Sequence, residues 1–151
     1  ERALGYIQLI LPASRVIFVD RNPLDNLLSI FLHPLPIGLY PWTSRFEDLA
    51  FVRREFDRLL DHWRTVLAIP TFNLKYEDLT SNQETVTRNL LSFLELEYNE
   101  SCIEFHQSKR AVLTPSFDQV NKPMNQNAVN WWRNYEQHLG VLIGEFGETS
   151  S

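Results

Sequence analysis

The sequence has little cysteine and no long apolar run, and both shortages narrow what the protein can be. Cys102 is the single cysteine among 151 residues, which excludes an internal disulfide and a cysteine-rich metal site. A lone thiol fits a reducing compartment best, and we therefore expect a cytoplasmic protein. The longest apolar stretches, residues 4–11 and 15–19, are too short to cross a bilayer.

The sequence also has fewer basic than acidic residues, and it lacks the motif of a glycine-rich phosphate-binding loop. Lys and Arg number 14 against 19 Asp and Glu, so the net charge is −5. A general nucleic-acid binder normally carries a basic field, whereas a small anionic ligand needs only a few placed cations. No GxxxxGK[ST] motif occurs in the chain. The histidines lack metal-ligand spacing and no catalytic triad stands out, so we predict no metal site and assign no catalytic residue.

The apolar pattern predicts an α/β fold. A chain of this length suits one domain that buries roughly 70% of the surface its unfolded form exposes. Residues 15–20 and 70–76 are predicted strands, and the unbroken apolar run 16–19 is typical of a parallel strand buried on both faces. The stretch between them contains predicted helices at about residues 23–32 and 46–68. Strand, helical crossover and strand together indicate a right-handed βαβ unit.

Capping residues and breakers predict the remaining helix ends. Ser44, with Glu47 three residues later, matches a capping box for the long helix. Ser81 or Asn82 is the predicted start of the next helix. Residues 129–146 are predicted to form one helix, or two that break near Gly140. Residues 108–127 form a predicted polar loop, for which we favour a functional role because loops this long are usually functional or disordered.

Arg21 stands at the carboxyl end of the first predicted strand, where open α/β sheets place ligands. The following helix directs its first N–H groups and the positive end of its dipole toward this position. Arginine adds a permanent charge and a fork that matches phosphate oxygens. Ser29 can share the same face of the helix. A plain Arg21–Asp25 ion pair, with Ser29 bonded inside its own helix, fits the spacing as well, and the residues alone leave both interpretations open.

Aromatic side chains occupy two further positions of interest. Tyr76 closes the second predicted strand at the same edge of the sheet, where its ring could stack on a purine or cover the core. Trp131 and Trp132 are adjacent, so on a helix they point about 100° apart. One of them can lie in the core, while the other needs a ligand, a loop or another packing partner.

Three segments together resemble the sulfotransferases that use 3′-phosphoadenosine-5′-phosphosulfate (PAPS). They are RNPLDNLLS at residues 21–29, LKYEDL at 74–79 and TPSFDQVNKPMNQNAVNWWRNYEQHL at 114–139. The likeness is closest to the bacterial branch often fused to tetratricopeptide repeats and to protein-tyrosine sulfotransferases. It implies a three-layer, P-loop NTPase-like fold with a parallel sheet. Residues 1–151 would be the C-terminal part of one such domain.

The resemblance also implies the cofactor-binding residues. Arg21 and Ser29 match the pair that binds the 3′-phosphate of PAPS, and Tyr76 matches an aromatic residue near the adenosine. Ser116 and Gln119 are the main expected contacts of a loop that folds over the cofactor.

A basic residue that often precedes the last motif's tryptophan in relatives is replaced here by Trp131. Lys122 is therefore included among the expected cofactor contacts as a substitute cation, and Arg133 is the other cation that could compensate.

The implied reaction transfers a sulfuryl group from PAPS to a hydroxyl or amine and leaves adenosine 3′,5′-bisphosphate. The acceptor could be a small molecule, a glycan or a peptide tyrosine. The family's phosphosulfate loop and base have no counterpart in these 151 residues, so we expect this chain to be inactive alone and to accompany an upstream part, such as tetratricopeptide repeats.

Two alternatives stay open at this point. One is a fragment of another P-loop-type kinase, which would need a magnesium-binding carboxylate after a strand, where only Asp20 stands. The other is a non-catalytic interaction domain that keeps the fold and grips a partner with residues 108–126.

Overall fold

The computed structural model describes residues 3–33, 38–107 and 122–147. Within these ranges the chain is mostly helical around two short strands. The strands are β1 (Val16–Asp20) and β2 (Thr71–Lys75), and the α-helices are α1 (Leu4–Ile10), α2 (Pro23–Leu32), α3 (Phe46–Val66), α4 (Tyr76–Ser81), α5 (Gln83–Phe93) and α6 (Gly140–Phe146). Short 3₁₀ helices lie at Pro41–Ser44, Glu100–Cys102, Phe105–Gln107 and Trp131–His138.

The two strands are paired in parallel, in register from Val16 opposite Thr71 to Asp20 opposite Lys75. The connection between them contains α2 and α3, as a parallel pair requires a long crossover. The α/β class, the parallel pairing and the positions of both strands are therefore confirmed. The long helix ends at Val66, close to the predicted boundary, and the chain reaches β2 through Pro70.

The prediction that β1 is buried on both faces is wrong in one respect. Phe18 is buried, but Val19 next to it is 64% exposed and Ile17 is 36% exposed. Side chains alternate between the two faces of a strand, so one face of β1 packs on the protein while the other is largely open. The described sheet has two strands, and this is too little structure to enclose both faces.

The predicted capping box at the start of α3 is also wrong. The Ser44 hydroxyl donates instead to the Pro41 carbonyl at 2.9 Å, inside the 3₁₀ helix that precedes α3. The N-cap position is taken by Arg45, whose side chain makes no capping hydrogen bond. Asn82 does occupy the N-cap of α5 as predicted, although its side chain does not cap the helix.

The core lies between α2, α3 and the C-terminal segment. It contains buried residues from both ends of the chain: Leu24, Leu27, Leu28, Leu49, Ala50, Trp132, Leu139, Leu142 and Phe146. Trp132 is thus the core tryptophan, and Trp131 packs at its edge against Tyr135, with ring centroids 5.1 Å apart. The C-terminal segment changes from 3₁₀ to α-helix next to Gly140, which confirms the predicted break.

Candidate functional site

The turn between β1 and α2 is built by Asn22. Its side-chain oxygen accepts the backbone N–H of Leu24 at 2.9 Å and that of Asp25 at 3.2 Å. Pro23 takes the first helical position, where its missing N–H leaves nothing unpaired. The cap starts α2 directly after the strand, and it places Arg21 between the end of β1 and the beginning of the helix.

Arg21 is half-buried, and only some of its guanidinium N–H groups have a described hydrogen-bond partner. Its Nη2 donates to the Ala128 carbonyl at 2.9 Å, and its guanidinium carbon lies 4.9 Å from the centroid of the Tyr76 ring. Its Nε is buried and has no hydrogen-bond partner among the described residues. An unpaired buried donor on a permanently charged group is costly, so this geometry favours an acceptor from outside the described residues.

Glu77 joins the ends of the two strands. Its Oε1 accepts the backbone N–H of Asn22 at 2.8 Å, which links the first turn of α4 to the start of α2. Tyr76 is the first residue of α4 rather than the last residue of β2, and it remains at the predicted edge of the sheet. The structure therefore brings Arg21 and Tyr76 together, as the sequence predicted.

Asp25 does not pair with Arg21, so the plain ion-pair alternative is wrong. The Asp25 side chain is completely buried in the first turn of α2. Its Oδ2 accepts the backbone N–H of Asn130 at 2.7 Å, and its Oδ1 accepts that of Trp132 at 2.8 Å. Both carboxylate oxygens are thereby committed to a segment more than a hundred residues further along the chain.

The other predicted site residues are not joined to Arg21 by a described contact. Ser29 is half-buried in α2, and no hydrogen bond of its hydroxyl is found in the described part of the chain. Its carbonyl instead accepts the backbone N–H of His33 at 3.2 Å. Lys122 is exposed. Ser116 and Gln119 lie outside the described residues.

Sequence reasoning missed three parts of the site: the cap at Asn22, the bridge through Glu77 and the carbonyl of Ala128. An asparagine directly before proline at a helix start is a recognisable cap signature and could have identified the first. Ala128 contributes only its backbone, so its side chain carries no signal. The role of Glu77 depends on how two strands distant in sequence are aligned, which no local pattern encodes.

Asp20, the carboxylate that a kinase would need after β1, is committed to Arg64. The Arg64 Nη2 and Asp20 Oδ2 atoms are 2.7 Å apart. Throughout residues 3–33, 38–107 and 122–147, no group of three or more His, Cys, Asp and Glu side chains is placed to hold a metal ion. The same ranges contain no helix long and apolar enough to span a membrane.

Comparison with known proteins decides the family. The model of the sulfotransferase family matches residues 1–100, which include Arg21, Ser29 and Tyr76. The chain belongs to the sulfotransferase family. This confirms the sulfotransferase family predicted from the motifs, while the branch within the family stays a prediction.

Three relatives of this sulfotransferase-family chain were found. An uncharacterized protein of Aquifex aeolicus (strain VF5) is 30% identical over 142 residues, which cover 93% of this chain and 19% of the relative. Cytosolic sulfotransferase 14 of Arabidopsis thaliana is 26% identical over 91% of this chain and 43% of its own length. Cytosolic sulfotransferase 15 of the same plant is also 26% identical, over 91% of this chain and 41% of its own length. The chain thus spans less than half the length of these relatives.

Proposed function

We propose that this sulfotransferase-family chain forms the part of a sulfotransferase domain that binds the 3′-phosphate and adenosine of PAPS. The observation that carries the proposal is the unpaired, buried Nε of Arg21 beside the Tyr76 ring at the carboxyl end of β1. A guanidinium N–H that lacks an acceptor fits an anionic oxygen, and the positive end of the α2 dipole favours the same charge.

Each residue has a defined part in the proposed site. Arg21 donates to a phosphate oxygen through Nε while its Nη2 remains bonded to the Ala128 carbonyl. The Ser29 hydroxyl supplies a neutral donor from α2. Tyr76 holds the guanidinium from one side and offers its aromatic surface to the adenosine. Ser116, Gln119 and Lys122 are proposed as further contacts on the strength of the family resemblance. The site needs no metal, because the cations are side chains.

In the whole protein, we propose a larger parallel sheet of the three-layer, P-loop NTPase-like type, with residues 1–151 as the C-terminal part of one domain. Bound PAPS would supply an activated sulfuryl group for transfer to a hydroxyl or amine on a small molecule, a glycan or a peptide tyrosine. The residues of this chain hold the other end of the cofactor, its 3′-phosphate and adenosine. Transfer also requires a base and hydrogen-bond donors for the migrating group, which we expect in the part of the protein upstream of these residues. We therefore expect the 151 residues alone to show no turnover.

Calorimetric titration of the full-length protein tests the proposal. Arg21→Ala should weaken binding of adenosine 3′,5′-bisphosphate by about 1.5–3 kcal/mol, the value of a hydrogen bond to a charged group. Ser29→Ala should weaken it less, because a neutral donor is lost. Adenosine 5′-phosphate, which lacks the 3′-phosphate, should bind almost equally to the wild type and to both variants.

Arg45→Ala is the matched control, because it removes an arginine whose side chain is 67% exposed and, within the described part of the chain, forms an ion pair only with Glu47. It should bind both nucleotides like the wild type. If Arg21→Ala weakens both ligands to the same extent, Arg21 supports the fold rather than the 3′-phosphate, and the proposed function is wrong.

A further inference from the structure

One turn of the chain holds a distant segment through two side chains of opposite charge. Arg21 donates to the carbonyl of Ala128, whereas Asp25 accepts the N–H groups of Asn130 and Trp132. We call residues 128–132 the anchor segment. An arginine and an aspartate at this spacing would ordinarily pair with each other, but here each contacts the backbone of the anchor segment instead.

The anchor segment is shaped to fit the Asp25 carboxylate. Asn130 has φ 57° and ψ 20°, the left-handed conformation in which asparagine is enriched. A left-handed residue next to right-handed ones turns successive N–H groups toward one side and creates a concave anion site. The amides of Asn130 and Trp132 consequently meet the two oxygens of one carboxylate, at 2.7 and 2.8 Å. These are charge-assisted hydrogen bonds to a fully buried side chain.

The position of the Ala128 carbonyl determines how Arg21 is oriented. A guanidinium group is rigid and planar, so fixing Nη2 on a carbonyl and one face on the Tyr76 ring also fixes the direction of Nε. Ala128 lies two residues before Asn130, and its carbonyl is therefore held in place by the bonds that Asp25 makes. A displacement of the anchor segment would turn Nε away from its present direction.

We propose that Asp25 is a positioning residue for anion binding: it holds the anchor segment so that Arg21 presents Nε to the 3′-phosphate. This inference rests on the proposed function of Arg21 and adds a residue that does not itself touch the ligand. Because coupling between two equilibria is reciprocal, ligand binding at Arg21 in turn stabilises the anchor segment.

A double-mutant cycle separates positioning from a purely structural role. The wild type, Arg21→Ala, Asp25→Asn and the double variant are titrated with adenosine 3′,5′-bisphosphate and with adenosine 5′-phosphate in the full-length protein. Asparagine keeps the size of the side chain but turns an NH₂ group toward an N–H of the anchor segment. Asp25→Asn should weaken the bisphosphate about tenfold, as loss of one hydrogen bond to a charged group would, and the monophosphate by less than about twofold.

In the Arg21→Ala background, Asp25→Asn should change bisphosphate binding by less than about twofold, because the group it positions is gone. Asp57→Asn is the matched control, since it makes the same substitution at an aspartate bonded to Arg53 in α3. Additive effects in the cycle would overturn the positioning role while leaving the proposed function intact. If Arg21→Ala shows no selectivity for the bisphosphate, the proposed function itself is wrong.

Amide hydrogen exchange keeps the inference testable even if Asp25→Asn does not fold. In the wild-type protein, saturating bisphosphate should slow exchange of the Asn130 and Trp132 amides by several-fold more than saturating monophosphate does, because only the bisphosphate engages Arg21 fully. Equal protection by both nucleotides, or no protection by either, would overturn the coupling between Arg21 and the anchor segment.

Discussion

Arg64 and Asp20 form an ion pair that joins the last turn of α3 to the end of β1, with 2.7 Å between Nη2 and Oδ2. The same guanidinium donates to Asn73 of β2 at 3.3 Å and to Asp61 of its own helix at 3.1 Å. Its central carbon also lies 5.3 Å from the centroid of the Phe18 ring. A single arginine thus holds the crossover helix against both strands and covers the buried face of β1.

Replacing Arg64 should therefore lower stability more than replacing an ordinary surface arginine. Arg64→Ala is expected to reduce the free energy of unfolding by about 1–2 kcal/mol, because a partly buried network of charged hydrogen bonds and a ring contact are lost together. Arg64→Lys should lose about half as much, since a lysine keeps one ion pair but not the fork. Urea denaturation followed by circular dichroism measures both.

Arg58→Ala is the control for that series, because Arg58 is 80% exposed and pairs with Glu55 on the same helix. Its effect should stay within about 0.5 kcal/mol. A loss equal to that of Arg64→Ala would show that the contacts of Arg64 with the strands contribute nothing beyond an ordinary surface pair.

The Arg64 contribution should not depend on pH in the range where proteins are usually studied. Burial alone lowers the pKa of Arg64, but attraction to Asp20 and hydrogen bonds to Asp61 and Asp20 outweigh it, and the pKa is raised. A group with a raised folded-state pKa stabilises fully below its unfolded pKa and loses this effect only as the pH passes the folded value. The cost of Arg64→Ala should therefore be the same at about pH 7 and about pH 10. A cost that falls over this interval would contradict the raised pKa.

Asn22→Ala should destabilise the protein by about 1 kcal/mol, the usual cost of removing a helix N-cap, whereas Asn22→Gly should cost only a few tenths. Thermal and urea unfolding of the two variants provide the comparison. Asn26→Ala, inside the same helix, is the control and should not be destabilising, because alanine is the better helix former. If Asn22→Ala is no more destabilising than Asn26→Ala, the side-chain cap at Asn22 does not contribute to stability.

The open face of β1 should make the 151-residue chain self-associate. Val19 is 64% exposed on a strand of a two-stranded sheet, and such surfaces attract further strands or apolar partners. Val19→Lys should shift sedimentation velocity profiles toward the monomer. Ser81→Lys adds the same charge at an exposed polar position and should leave association unchanged. An equal shift in both variants would assign the effect to net charge rather than to the apolar face.

Local patterns predicted the framework of the fold well. The run 16–19 and the apolar spacing of α3 each reflect interactions among near neighbours, so the strands and the long helix could be located from sequence. Ser44 shows the limit of this approach, because its hydroxyl can either accept a backbone N–H as a helix cap or donate to a nearby carbonyl, and here it donates to Pro41.

Site residues at the ends of strands could be predicted from the sequence. Contacts between a side chain and backbone groups far away in the sequence could not. Arg21 and Tyr76 were placed correctly because the carboxyl ends of parallel strands share an edge. The i,i+4 ion pair with Arg21, which the spacing left open, is not formed, since the partners of Asp25 lie 105 and 107 residues away. Spacing rules within a helix contain no information about contacts of that range.

The burial of Asp25 also bears on how the protein is made. The backbone groups that bind its carboxylate, and four of the nine buried residues of the apolar core, lie within residues 130–146. Synthesis proceeds from the N-terminus at about 5–20 residues per second, so on the ribosome α2 exists for several seconds before those residues emerge. During that interval its carboxylate and its leucines face water, and the nascent chain is open to chaperones. Folding of this region is therefore completed only after residues 128–146 have left the ribosome.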